Sequence, residues 1–181
     1  MVQRRGNRVK IIHSERQLEA LGERFAREAL RRYGLRPTAI VFALEGDLGA
    51  GKTTFLRGFA RGLGIKRRIT SPTFVLARRY RLPSRKPYAV GRKAKTLQRY
   101  SVTALQPTYF WHIDAYRLRG ARELSSIEYA EIVHDPQNIV AIEWADRIKA
   151  AVPKRATWIQ FRHHPKGRTV TFRSGKLHRN S

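Results

Sequence analysis

The chain of 181 residues is long enough to bury a core and short enough to be one domain with a small appendage. Its 38 lysines and arginines against 13 carboxylates leave a formal charge of +25 and a pI near 11.6, which points to an anionic partner or to a solubility bias. The lack of cysteine excludes disulfides and thiolate metal sites, and the longest apolar run, Ala39 to Leu44, is far below the ~18 residues that span a bilayer. A cytoplasmic chain with no membrane segment and no secretion signal is therefore expected.

In chain order, Leu18, Leu21, Phe25, Ala29 and Tyr33 recur at three- and four-residue spacing and predict an amphipathic helix over 14–33, with Ser14 and Gln17 as a capping box. Gly34 and Pro37 break it. "AIVFALEG" then reads as a buried strand, and "TTFLRGFARGLG" as a helix with Phe55, Phe59 and Leu63 on one stripe, stopped by Gly62 and Gly64. "TSPTFVL" reads as a loop entering a strand. From about 81 to 107 three prolines, basic side chains and no apolar period predict an inserted basic loop, longer than compact domains commonly carry. "YFWHIDAYRL" predicts a buried strand ending at Asp114, followed by a helix around 121–133 and the strand "NIVAIEW". "TWIQFRH" and "RTVTFRS", separated by "HPKG", predict an antiparallel hairpin at the sheet edge, with a basic tail from about 173.

Gly46 to Thr53 fits G-x-x-x-x-G-K-[ST] between a predicted strand and a predicted helix. Each fixed position has a mechanical reason. Glycines admit backbone conformations closed to other residues, so N–H groups from about Gly49 to Thr54 can converge on phosphate oxygens at the positive end of the following helix. Lys52 can reach β- and γ-phosphates, and the Thr53 hydroxyl is placed to ligate Mg²⁺. A glycine-rich turn without a ligand is the plain alternative. Two carboxylates sit at predicted strand ends, Asp114 and Glu143, and ligands of open α/β sheets collect there. Asp114 would act as a Walker-B-like acid, or merely cap the next turn; Glu143 would face the metal, or merely pair with an arginine. The six histidines show no ligand spacing, and the adjacent His163 and His164 fall on opposite faces of a strand, so no zinc site is assigned.

Taken in order, "GDLGAGKTTFLRG", "TSPTF", "HIDAYRL" and "IEWADR" resemble the TsaE family of bacterial tRNA N6-threonylcarbamoyladenosine biosynthesis, and "LEALGERFA" resembles that family's first helix. The resemblance implies an α/β, P-loop NTPase-like three-layer fold, with a mostly parallel sheet and antiparallel edge strands, as a single domain over 1–181. It implies an ATPase, slow by itself, that binds ATP and Mg²⁺. Its partner would be a TsaB–TsaD-like complex that transfers a threonylcarbamoyl group to an anticodon-loop adenosine, reset by hydrolysis between turnovers. By motif, Gly49, Ala50, Gly51, Lys52, Thr53 and Thr54 are similar to phosphate-binding positions. Thr53 and Glu143 look to the metal, Asp114 to the nucleotide–metal site, and Lys52, Asp114 and Glu143 to catalysis. Ser71 and Thr73 resemble a switch that senses the γ-phosphate, although a Ser-Pro turn is the plain reading. Trp144 would lie near the nucleotide or partner face, or in the core. Weaker carry-overs are Glu15 and Arg168, on the base or ribose side, and His112 and Tyr116 flank Asp114 and would orient it.

The basic loop and the high pI depart from the family pattern. They suggest contact of the loop and basic tail with tRNA or with an acidic surface of the partner complex. A P-loop kinase and a basic RNA-binding module are the rival classes. The kinase would transfer phosphate to an acceptor rather than to water. The RNA-binding module would leave Lys52, Thr53, Asp114 and Glu143 without a purpose.

Overall fold

The computed structural model describes residues 8–31, 36–72, 75–84 and 106–174. Its elements are β1 (Arg8–Ile12), α1 (Glu15–Arg31), β2 (Ile40–Gly46), α2 (Lys52–Gly62), β3 (Ala77–Arg81), β4 (Tyr109–Asp114), α3 (Tyr129–His134), β5 (Asn138–Glu143), β6 (Thr157–His164) and β7 (Gly167–Ser174), with 3₁₀ segments at Ala121–Ile127 and Ala145–Ala151. All seven strands form one sheet, in the order β1-β7-β6-β2-β5-β4-β3. The four central strands, β6, β2, β5 and β4, run parallel, while β7, β1 and β3 add antiparallel pairs at the flanks. The mixed α/β sheet is thus mostly parallel, with antiparallel edges as expected.

Helices α1 and α2 cover one face. Phe42, Phe55, Phe59, Phe110 and Phe161 pack there with Leu18 and Leu21. The other face is covered by the 3₁₀ segments and α3, through Ile113, Leu124, Ile132, Val140, Ile142 and Ile148. The two large helices lie unusually close: a Cβ on Gly58 would sit 1.9 Å from the Glu19 carbonyl oxygen, and one on Gly22 2.1 Å from that of Phe55. Across that seam Arg61 donates to Glu19 and Glu23, at 2.9 Å each. The close approach fixes how α2, and the glycine turn that feeds it, sits on the sheet.

Local signals are carried out with small changes. The Ser14 hydroxyl accepts from the Gln17 N–H at 3.2 Å, but the Gln17 side chain accepts from the His13 N–H, one residue earlier than in a reciprocal capping box. The helix of 14–33 is described to Arg31, and 32–35 lie outside the described residues. Helix α2 ends in a Schellman motif: Ile65 N–H donates to Ala60 O and Gly64 N–H to Arg61 O, with Gly64 at φ +90°.

Two expectations need correction. The helix of 121–133 is a 3₁₀ segment and a short α3 split at Glu128, φ 50°. The Ser125 and Ser126 hydroxyls bond back to the Arg122 and Glu123 carbonyls there, in competition with continued helix. The terminal hairpin is not at the sheet edge, because β1 pairs with β7 along its whole length. That five-residue basic strand has no local signature; it exists through a long-range pairing. The basic segment joins β3 to β4, and their antiparallel pairing continues past the strand ends: the Leu82 N–H donates to Thr108 O at 2.9 Å. Residues 85–105 of it lie outside the described residues. Of the basic tail expected from about 173, Arg173 and Ser174 belong to β7, and 175–181 lie outside the described residues. No helix among the described residues is long and apolar enough to cross a membrane.

Candidate functional site

The turn between β2 and α2 is built by conformations that only glycine adopts without strain. Gly46, Gly49 and Gly51 have φ of 133°, 74° and 101°. Gly51 is the N-cap of α2 and gives it no side-chain cap. The first helical bond is from Phe55 N–H to Gly51 O, which leaves the N–H groups of Lys52, Thr53 and Thr54 at the helix start facing the turn. Gly51 is also crowded: a Cβ would lie 2.5 Å from Leu18 Cδ2 and 2.7 Å from Arg168 Nη1. Arg168, the weakest expectation from the sequence, therefore stands against the glycine turn, carried by β7. Glu15, three residues ahead of Leu18 at the start of α1, is exposed.

Lys52 is only 5% exposed. Its ammonium donates to the carbonyls of Gly46 at 2.6 Å and Asp47 at 2.8 Å, and lies 3.6 Å from the centre of the Trp144 ring. Burial pulls its pKa below the ordinary lysine value, an effect partly offset by the charges of Glu143, Asp146, Asp47 and Asp114. Trp144 is half-buried, in left-handed backbone at φ 58°, and its ring packs on Tyr116 at 4.9 Å with Arg147 over both. Its ring lies over the lysine and also packs against the apolar layer on that face of the sheet.

Because β4 and β5 are parallel neighbours in register, Asp114 stands directly beside Glu143, and Leu44 at the end of β2 is the partner of Glu143 on its other side. Both carboxylates are buried. The Thr53 hydroxyl lies 2.9 and 3.1 Å from the two Glu143 oxygens. The Ser71 hydroxyl donates to Asp114 Oδ2, and the Tyr116 N–H to Asp114 Oδ1 at 2.9 Å. Asp114 thus also caps its own turn. Thr73 lies outside the described residues. Lys52, Thr53, Ser71, Asp114 and Glu143, drawn from four segments, meet at the carboxyl ends of β2, β4 and β5. Ala50 is buried behind the turn, and Thr54 is buried at the base of α2.

His112 corrects the expectation that it orients Asp114. Its Nε2 lies 2.8 Å from Glu143 Oε1, both side chains being fully buried. A carboxylate only accepts, so the ring donates from Nε2; Nδ1 is buried without a partner among the described residues. The signal was present in the strand's period of two, which puts His112 and Asp114 on one face. Only the β4–β5 register turns that face toward Glu143. Among the described residues Glu143 makes no ion pair with arginine. His163 bonds to the Leu48 carbonyl and His164 accepts from Lys166 N–H, with no third ligand-type residue grouped with them among the described residues.

A hydroxyl and two carboxylates are all-oxygen donors, the set that suits Mg²⁺, and they stand beside an uncapped helix start and a buried lysine whose charge favours a polyphosphate. The residues present fit a Mg-nucleotide.

A family model described as "Threonylcarbamoyl adenosine biosynthesis protein TsaE" matches residues 12–90 and 95–170. The tRNA threonylcarbamoyladenosine biosynthesis protein TsaE of Bacillus subtilis is 36% identical over 114 residues, a match spanning 63% of this chain and 56% of that protein. The protein of the same name from Borreliella burgdorferi is 33% identical over 135 residues, 74% of this chain and 81% of that one. The crystal structure of Bacillus subtilis YdiB superposes with a TM-score of 0.60 at 23% identity, covering 94% of this chain and 85% of that one, a likeness of fold. The family match over nearly the whole described sheet, with its motif residues brought together at one end of that sheet, places this chain in the TsaE family.

Proposed function

We propose that this chain is the Mg-dependent, ATP-binding and ATP-hydrolysing component of tRNA threonylcarbamoyladenosine biosynthesis, working in the cytoplasm with a TsaB–TsaD-like complex and permitting its multiple turnover. The observation that carries this reading is the convergence of Lys52, Thr53, Asp114 and Glu143 on an uncapped, glycine-built helix start.

Phosphoryl transfer asks a protein for position and charge rather than for covalent chemistry. The turn's N–H groups would hold the phosphate chain. Lys52 would exchange two backbone carbonyls for phosphate oxygens, a move over a few ångströms that gives a buried cation an anionic partner. Magnesium, when bound, would supply positive charge against the phosphate oxygens; Thr53 and Glu143 would hold it, with Asp114 beside them. His112 would keep Glu143 turned toward Thr53, and Ser71, now on Asp114, would be the group freed to meet the terminal phosphate. Arg168, against the glycine turn, and Glu15 would meet the rest of the nucleotide.

Reconstituted tRNA threonylcarbamoylation, followed with and without this chain, tests the reading. Many product molecules per transferase complex are expected with the wild type and about one with Lys52→Ala; equal turnover with either refutes it. Phosphate appearing on an added acceptor instead of in water would favour the kinase.

A further inference from the structure

We propose that the outer edge of the sheet, formed by β3 and the Lys66–Arg68 segment ahead of it, is a binding ridge for single-stranded RNA. Strand β3 is last in the sheet order, so no strand covers its outer side among the described residues. Its flanks are basic on both faces. On the α2 side the exposed Lys66, Arg67 and Arg68 follow the Schellman turn, and the Arg67 guanidinium lies 5.1 Å from the Tyr80 ring centre. On the opposite face Arg79 and Arg81 are exposed, with Arg79 at 4.7 Å from Tyr109 and 5.5 Å from Trp111. The alternation of a strand puts Arg79 and Tyr80 on opposite faces, so the ridge wraps the edge.

These cations lie in a stretch of sequence that offers no carboxylate to pair with. Arg27, Arg61 and Arg173 have carboxylate partners. Among the described residues Lys66, Arg67, Arg68, Arg79 and Arg81 have none, and from Leu48 to Ile113 the sequence places no carboxylate at all. Two of the four guanidiniums, those of Arg67 and Arg79, rest on rings instead. Tyr109 and Trp111 are half-exposed, while the Tyr80 ring is buried and only seats Arg67. Unpaired cations beside the two half-exposed rings are the chemistry on which phosphates and unstacked bases bind together; an acidic polypeptide would use the charge and leave those rings idle. The ridge also abuts the candidate site, since Arg78 donates to the Thr70 hydroxyl at 3.1 Å and the next residue, Ser71, holds Asp114. RNA on the ridge would lie against that loop. The inference stands apart from ATP hydrolysis and does not use the undescribed 85–105.

The experiment is fluorescence anisotropy of a tRNA anticodon stem-loop with the full chain at several salt concentrations. Neutralising five phosphates of a single strand predicts a log–log salt slope of about −3.5, or roughly 100-fold weaker binding between about 50 and 200 mM salt. Lys66→Glu/Arg79→Glu/Arg81→Glu should lower affinity at least about tenfold and reduce the slope by about 2, with unchanged circular dichroism and thermal unfolding as proof of an intact fold. Should that variant not fold, Lys66→Gln/Arg68→Gln, both in the exposed loop, should reduce the slope by about 1.4. Unchanged RNA binding in either folded variant overturns the ridge. Equal affinity for an RNA duplex, or binding to polyglutamate and not to RNA, overturns the single-strand assignment.

Discussion

Replacing Gly51 by alanine separates the two jobs of the glycine turn. At φ 101° the new side chain would suffer the left-handed penalty of about 1–2 kcal/mol. Its Cβ would also stand 2.5 Å from Leu18 Cδ2 and 2.7 Å from Arg168 Nη1, so both side chains must move. A total of about 2 kcal/mol corresponds to a fall in Tm of about 4–8 °C for a chain of this size. Gly64→Ala is the matched control. It has φ +90° and would bring its Cβ to 2.8 Å from Pro83 Cγ, at the far end of α2. Both variants should lose similar stability by calorimetry, but only Gly51→Ala should also weaken Mg-ATP binding, by at least about tenfold, since only there do the strained backbone and displaced Arg168 border the site. Arg168→Ala in the Gly51→Ala background should recover part of the stability, as contacting residues are not additive. Equal nucleotide affinity in the two glycine variants would refute the reasoning.

Two further outcomes follow from buried titratable groups. Tyr129 is buried with its hydroxyl 3.3 Å from the Ala151 carbonyl, and burial pushes its pKa up from 10.0 to about 12. For an acid raised on folding, the unfolded chain loses its proton first. Its contribution of about 3 kcal/mol should be present below pH 10 and lost between pH 10 and about 12; chemical denaturation of Tyr129→Phe across that range should lack this component, and an identical profile would contradict it. Lys52 has the opposite sign, a cation whose pKa burial lowers from 10.5. A polyphosphate beside it favours the charged form, so Mg-ATP binding should take up protons in alkaline buffer and weaken as pH rises through the free protein's lowered lysine pKa. Calorimetry in buffers of different ionisation enthalpy measures that uptake, and none at any alkaline pH would exclude Lys52 from contact with the phosphates.

Local chemistry in the sequence was enough to determine β2, the glycine turn, α2 and its stop at Gly64, because each depends on residues within a few positions: an apolar run, glycines that tolerate positive φ, and a stripe of period 3.6. The motif order carried the family, and the placement of Asp114 and Glu143 at strand ends anticipated their meeting. What the tertiary structure decided is pairing across long separations. Strand β1 exists through its register with β7, the β4–β5 register turns His112 to Glu143 rather than to Asp114, and Arg168 reaches Gly51 because β7 lies between β1 and β6. Lys52 beneath Trp144 joins a helix start to the end of another strand. Beyond the period of two that puts His112 on the face of Asp114, these contacts leave no periodic or compositional trace, since each depends on which neighbour a strand finds, and that is settled by burial of the whole sheet between its two apolar layers.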